Sequence, residues 1–130
     1  MRLSTRGRYA VRILLCIARH QHRGPVTKRI IYEDEGISKD YIEQIIVPLK
    51  KAGLVEGLRG VKGGFLLTRP ADEITVSDVL KASERNLCLV SCLMDDCPRA
   101  DDCVIRPVWR EASSRLHHYL DSVTLHSLMA

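Results

Sequence analysis

Apolar residues recur at helical spacing near the start of the chain. Ala10, Ile13, Leu14 and Ile17 fall at i, i+3, i+4 and i+7, and Val11, Leu14, Leu15 and Ala18 repeat the spacing on a neighbouring stripe. Two stripes predict a helix buried on more than one side, from Thr5 to about Gln21, with Cys16 inside it as a small core hydrophobe. Gly24-Pro25 breaks the pattern. Thr27 is placed to cap a second, short helix that runs to about Glu35 and ends at Gly36. Ser38 is placed to cap a third, Lys39 to about Ala52, with Ile42, Ile45, Ile46 and Leu49 turned inward and Gly53 as its stop. An interior proline removes a backbone donor and crowds the preceding turn, so a bend is expected at Pro48.

Beyond Gly53 the period changes. Leu54-Val55-Glu56 and Phe65-Leu66-Leu67 read as two short strands, and the segment Gly57 to Gly64 between them, with four glycines, Arg59 and Lys62, reads as a flexible, positively charged hairpin tip. Helical spacing returns after Arg69-Pro70. Thr75 caps a helix from Val76 to about Glu84, anchored by Val79 and Leu80, with Asp78 positioned to complete a capping box. Ile105, Val108, Trp109, Ala112, Leu116, Tyr119, Leu120 and Val123 then mark a sustained amphipathic helix. About 20 residues at 1.5 Å each span about 30 Å, more than a small domain needs for its own core. The surplus face suggests a homodimer in which two such helices pack together, with packing back on the same subunit as the alternative.

The expected fold class is therefore mainly α with a small β-wing: a winged helix-turn-helix with a long C-terminal dimerisation helix. The segments are a DNA-binding unit over 1–70, a connecting helix over 71–87, a cysteine loop over 88–104, and the dimerisation helix and tail over 105–130. Charge divides along the same line. Residues 1–70 hold 14 Lys+Arg against 6 Asp+Glu, and residues 71–130 hold 6 against 10, so the chain's net charge of +4 hides a basic first half. An excess of that size attracts phosphates. With one Trp, one Phe and four Tyr, base-stacking platforms for single strands are not expected.

Lys39, Asp40, Tyr41, Glu43 and Gln44 fall on the outer side of the third helix, near the end that enters a major groove. There Glu43 is able to accept from a cytosine amino group and Gln44 to pair with adenine. Arg59 and Lys62 suit a phosphate or a narrow minor groove. The apolar run Tyr9 to Ala18 is interrupted by Arg12 and closed by Arg19-His20, so it reads as a helix rather than a signal peptide. No stretch reaches membrane-spanning length, and a cytoplasmic location is expected.

Four of the five cysteines lie in one polar, proline-broken segment with the spacing Cys88-x3-Cys92-x4-Cys97-x5-Cys103. None of these intervals is the x2 pair of zinc ribbons or bacterial ferredoxins. Thiolates converging from unequal spacings on an irregular loop suit an iron-sulfur cluster, [2Fe-2S] or [4Fe-4S]; zinc, or redox-active or inert thiols, are the other readings. Asp95, Asp96, Asp101 and Asp102 keep the loop soluble and are able to supply an oxygen ligand. His117, His118 and His126 read as surface or interface residues.

Met1-Arg-Leu-Ser-Thr-Arg-Gly-Arg-Tyr-Ala10, Ser38-Lys-Asp-Tyr-Ile-Glu-Gln44, Lys51-Ala-Gly-Leu-Val55, Arg59-Gly-Val-Lys-Gly-Gly-Phe-Leu-Leu67 and Val108-Trp-Arg-Glu111 resemble the BadM/Rrf-type winged-helix transcription regulators. The likeness covers nearly the whole chain. It implies a homodimer on a pseudo-palindromic double-stranded DNA operator, with a cluster on the loop before the dimerisation helix. By position it implies that Cys92, Cys97 and Cys103 are cluster ligands, that Glu43 reads bases and that Arg59 is the wing arginine. Two positions depart from the family's patterns. Arg106 stands where some members carry a histidine, and Arg8 where others carry an acidic residue. The fourth ligand is thus unassigned, with Cys88 the nearest candidate and a loop aspartate or a small thiol the alternative.

The resulting expectation is a non-enzymatic, cluster-sensing transcription regulator. The alternatives are a cluster-free winged-helix repressor controlled by a partner protein, a small effector or thiol oxidation and, from another class, an electron carrier. No constellation of catalytic groups is evident.

Overall fold

The computed structural model describes residues 1–94 and 96–129; Asp95, one of the potential oxygen donors above, and Ala130 lie outside the described residues. Helix α1 spans Thr5–His20, α2 Lys28–Glu35 and α3 Lys39–Lys51. Each N-terminus is closed by a side chain that accepts an otherwise unpaired backbone N–H: Ser4 from Gly7, Thr27 from Ile30, and Ser38 from Tyr41. The α2–α3 turn depends on Gly36, whose φ of 68° lies in the left-handed region that side chains with a Cβ rarely adopt. Helix α3 continues through Pro48 to Lys51 as one element.

Strand β1 covers Val55–Leu58 and β2 Gly64–Leu67, antiparallel with Val55 opposite Leu67 and Leu58 opposite Gly64. The hairpin pairs further toward its tip than the expected strands Leu54–Glu56 and Phe65–Leu67. Backbone hydrogen bonding recruits Gly57 and Leu58, which side-chain pattern alone assigns to a loop. Val26 adds one bridge on the other edge, exchanging bonds of 2.9 and 2.8 Å with Phe65. The wing is thereby tied to the entry of α2.

Helix α4, Val76–Ser83, carries the complete capping box, with Thr75 Oγ1 accepting from the Asp78 N–H and Asp78 Oδ2 from the Thr75 N–H. Its C-terminal neighbour Glu84 reaches the start of α1, where it accepts from the Ser4 N–H at 2.9 Å and the Ser4 hydroxyl at 2.7 Å. Gly7 permits this approach, because a Cβ there would lie 1.9 Å from Glu84 Oε1. The last helix, α5, spans Arg106–Ser122.

One cluster of buried side chains joins these elements. Ile13, Leu14 and Ile17 of α1, Ile31 of α2, and Ile42, Ile45 and Leu49 of α3 are all fully enclosed. Leu125, beyond α5, belongs to the same cluster and is also fully enclosed. The chain after α5 returns to lie beside the entry of α4, with Thr75 bridging Thr124, the Val76 N–H bonding Val123 O at 2.8 Å and the Leu125 N–H bonding Ile74 O at 2.9 Å.

Candidate nucleic-acid interface and cysteine loop

Helix α3 presents two faces. Ile42, Ile45, Ile46 and Leu49 are buried, whereas Lys39, Asp40, Glu43 and Gln44 are exposed. Asp40, in the first turn, also sits where the helix dipole favours an anion. Tyr41 is half-buried, its ring edge-on to Tyr9 of α1 at 5.8 Å between centroids. It therefore packs the reading helix onto the scaffold as well as bordering its outer face.

A groove runs between α3 and the wing, bordered by Thr27, Lys28, Glu43, Lys50, Arg59 and Gly60. Two of the residues expected from sequence, Glu43 and Arg59, thus border the same groove. Lys62 is exposed at the wing tip and Lys39 stands 5.9 Å above the Tyr32 ring. Glu43 is not a free acceptor, because Lys28 at the start of α2 pairs with it. That hydrogen bond and the lysine's charge hold the Glu43 carboxyl below its ordinary value. A base seeking Glu43 must share it with Lys28.

Sequence reasoning missed Lys28, Lys50 and Arg6 as members of this surface. Arg6, with Ser4 and Thr5, borders a second recess that also includes Tyr41 and Gln44. The start of α1 and the reading end of α3 are therefore neighbours. The only sequence signal for these residues was the general basicity of the first half, which does not say which cations converge.

The cysteine loop has little regular structure beyond a single 3-10 turn at Ser91–Leu93. Cys88, Cys92, Cys97 and Cys103 are all free and half-buried. The Cys88 thiol donates to Val90 O at 3.1 Å, and the Cys88 N–H donates to Asn86 Oδ1 at 2.6 Å. Among the described residues, no three donor atoms of this loop lie within 4.8 Å of one another, the spacing a single ion requires. A cluster spreads its ligands over several irons and does not need that spacing.

The residues present fit such a group. Four thiols offer soft donors, and Arg106 keeps its Nε buried without a hydrogen-bond partner among the described residues, directly after the loop. An unmet cationic donor at this position suits the sulfur of an anionic thiolate-bound cluster.

Two contacts tie the loop to the rest of the protein. The Met1 amino group donates to Leu89 O at 2.8 Å, and His117 of α5 donates through Nε2 to Leu87 O at 2.9 Å. Helix α5 itself is mostly exposed. Ser113 is its one buried residue, while Val108, Trp109 and Tyr119 are exposed. The predicted stripe is therefore present and largely uncovered within the protomer.

A reading helix on a helical scaffold, a charged wing and a bordering basic groove define a winged-helix, DNA-binding transcription regulator. A family model described as Rrf2, iron-dependent transcriptional regulator, matches residues 3–130. The HTH-type transcriptional regulator IscR of Erwinia tasmaniensis is 39% identical over 130 residues, covering 99% of this chain and 79% of that protein. The chain belongs to the Rrf2 family. Among solved structures, CymR (YrzC), titled the global cysteine regulator of B. subtilis, superposes with a TM-score of 0.84 at 32% identity, over 99% of this chain and 96% of that one. T. potens IscR gives 0.79 at 34% identity, over 99% and 86%. These relatives are regulators rather than enzymes. No helix among the described residues is long and apolar enough to cross a membrane.

Proposed function

We propose that this regulator is a cytoplasmic homodimer whose affinity for a pseudo-palindromic operator is set by an iron-sulfur cluster, [2Fe-2S] or [4Fe-4S], on residues 88–103. The observation that carries the proposal is the four free, half-buried thiols on one loop, followed in the chain by the orphaned Arg106 donor. Cys92, Cys97 and Cys103 would hold the cluster, with Cys88 the nearest candidate for the fourth ligand, a loop aspartate or a small thiol the alternative, and Arg106 a donor to the cluster's sulfur. When bound, the group supplies a centre whose charge and integrity respond to oxidants, nitric oxide and iron supply.

The protein's own residues provide a route between loop and operator. Leu89 holds Met1, Glu84 holds Ser4, and Ser4, Thr5 and Arg6 border Tyr41 and Gln44 of α3. A loop that changes shape pulls on the start of α1, and that segment abuts the reading end. For this to regulate binding, the two loop states must differ in their preference for DNA, and the cluster must favour one of them. On the DNA, Glu43 and Gln44 read base edges, Arg59 enters the minor groove or grips a phosphate, and Lys39, Asp40, Tyr41 and Lys62 complete the contact surface. The exposed stripe of α5 packs against its counterpart in a second protomer, since isolated apolar side chains in such an array are unfavourable in water.

The test is protein purified without oxygen, examined by visible absorption and electron paramagnetic resonance with iron and sulfide assayed on the same sample. Sulfur-to-iron charge-transfer bands with matching iron and sulfide are expected. A colourless, iron-free protein with tight, salt-dependent operator binding would overturn the cluster. It would favour the second reading, control by thiol oxidation or a partner, which the engagement of Cys88 Sγ with Val90 O and the likeness to CymR support.

A further inference from the structure

Cys16 and His20 stand one turn apart on α1, so their side chains leave the same face. Asp34 approaches them from the last turn of α2. Cys16 Sγ lies 3.8 Å from Asp34 Oδ2, His20 Nε2 is hydrogen-bonded to that same oxygen, and the three donor atoms all lie within 4.8 Å of one another. In a tetrahedral zinc site with bonds of about 2.0–2.3 Å, neighbouring ligand atoms stand about 3.3–3.6 Å apart. Cys16 and Asp34 thus stand near ligand spacing already, while His20 and Asp34, now hydrogen-bonded to each other, must part to admit an ion between them.

We propose that Cys16, His20 and Asp34 form a mononuclear site for a divalent ion of zinc's class, separate from the cysteine loop. The donor set matches a borderline-soft cation, and three protein ligands leave a fourth position open. A recess bordered by His20, Arg23, Pro25, Glu33 and Asp34 adjoins two of the three donors from the solvent side. Cys16 is buried, with 1% of its surface exposed, whereas His20 is half-buried and Asp34 exposed, so the ion would be gripped from the interior and reached from outside.

Burial, with the Asp34 and Glu35 carboxylates beside it, pushes the Cys16 thiol up to about 12, so it stays protonated until a cation supplies the charge that lowers it. Glu35 is already paired with Arg12, which leaves Asp34 as the anion that faces the ion. On binding, the S–H bond breaks, the proton leaves to solvent, and the thiolate electron pair forms the bond to the metal, while neutral His20 donates through Nε2. The ion would then cross-link α1 to α2, the helix that leads through Gly36 into α3, and so stiffen the reading head.

The experiment titrates the full chain with Co2+ alone, then displaces it with Zn2+ alone, in a background where Cys88, Cys92, Cys97 and Cys103 are all serine. One equivalent of Co2+ should bind, with a thiolate-to-cobalt charge-transfer band and the visible bands of four-coordinate cobalt. Cys16→Ser should abolish the charge-transfer band, and His20→Ala or Asp34→Asn should weaken binding at least about tenfold. Zinc should raise the Tm of the background protein and not that of its Cys16→Ser derivative. Absence of the band, or a band indifferent to Cys16→Ser, overturns the site and leaves an ordinary His20–Asp34 pair above a core thiol. Should the four-serine background not fold, the unmodified chain is compared with His20→Ala, a change at a half-buried position. Loss of one Co2+ equivalent supports the site, and unchanged stoichiometry overturns it. Neither outcome alters the iron and sulfide assay of the loop.

Discussion

The reading head and the cysteine loop obey opposite rules. In residues 1–70 each of the three α-helices is capped at its start, the wing is paired on both edges of β2, and the apolar side chains of α1 to α3 meet in one closed core. In residues 88–122 the thiols have no shared partner and Arg106 keeps an unmet donor among the described residues, and α5 leaves Val108, Trp109 and Tyr119 exposed. The first region is stabilised by its own sequence. The second leaves donors and apolar surface unmet, and under the proposed function that is where a signal enters.

This contrast predicts where substitutions act. The largest expected effect is Cys92→Ser, which should abolish the cluster chromophore and its resonance signal while circular dichroism stays that of the folded protein. Retention of full colour would remove Cys92 from the ligand set. Next, Ile45→Ala in the closed core should cost about 2–5 kcal/mol of unfolding free energy by denaturant titration. Trp109→Glu on the open stripe should cost little within the protomer and instead shift sedimentation toward the monomer. If both changes lower stability equally, the two regions are not the separate systems described here.

Arg59→Ala should reduce specific operator affinity by about 1–3 kcal/mol, read at fixed salt, without moving the chromophore. Glu84→Ala removes the acceptor of two Ser4 bonds and should weaken the dependence of DNA affinity on the loop's state more than affinity itself, measured with loaded and metal-free protein.

The smallest effect concerns pH. Lys28 lowers the Glu43 pKa in the folded state, so that pair stabilises at pH above the ordinary carboxylate value near 4.5 and is lost as pH falls through the lowered value. Glu43 is exposed, so only a slight flattening of the acid limb of stability is expected in Glu43→Gln.

The local signals were read well because they are local. Thr27, Ser38 and Thr75 start helices where they stand, Gly36 ends one, and apolar spacing identifies the buried faces of α1 and α3 without reference to the rest of the chain. The features that escaped join distant positions. Glu84 meets Ser4 across 80 residues, Thr75 meets Thr124, and Cys16 finds Asp34 on another helix. Cys16 reads as core packing from its own helix, and only the arrival of α2 reveals the carboxylate beside it. The groove shows the same limit. Glu43 and Arg59 stood out by their place in a motif, whereas Lys28 and Arg6 join them only through the way α1, α2 and α3 meet.

The return of the chain after α5 has a mechanical consequence. Helix α5 is about 25 Å long. Both of these anchors lie toward its C-terminal end, where His117 holds the loop at Leu87 and Thr124 and Leu125 lock beside α4. A beam clamped at one end swings most at the other. Rearrangement at the loop would therefore displace Val108 and Trp109, near the Arg106 end, further than Tyr119 beside the clamp.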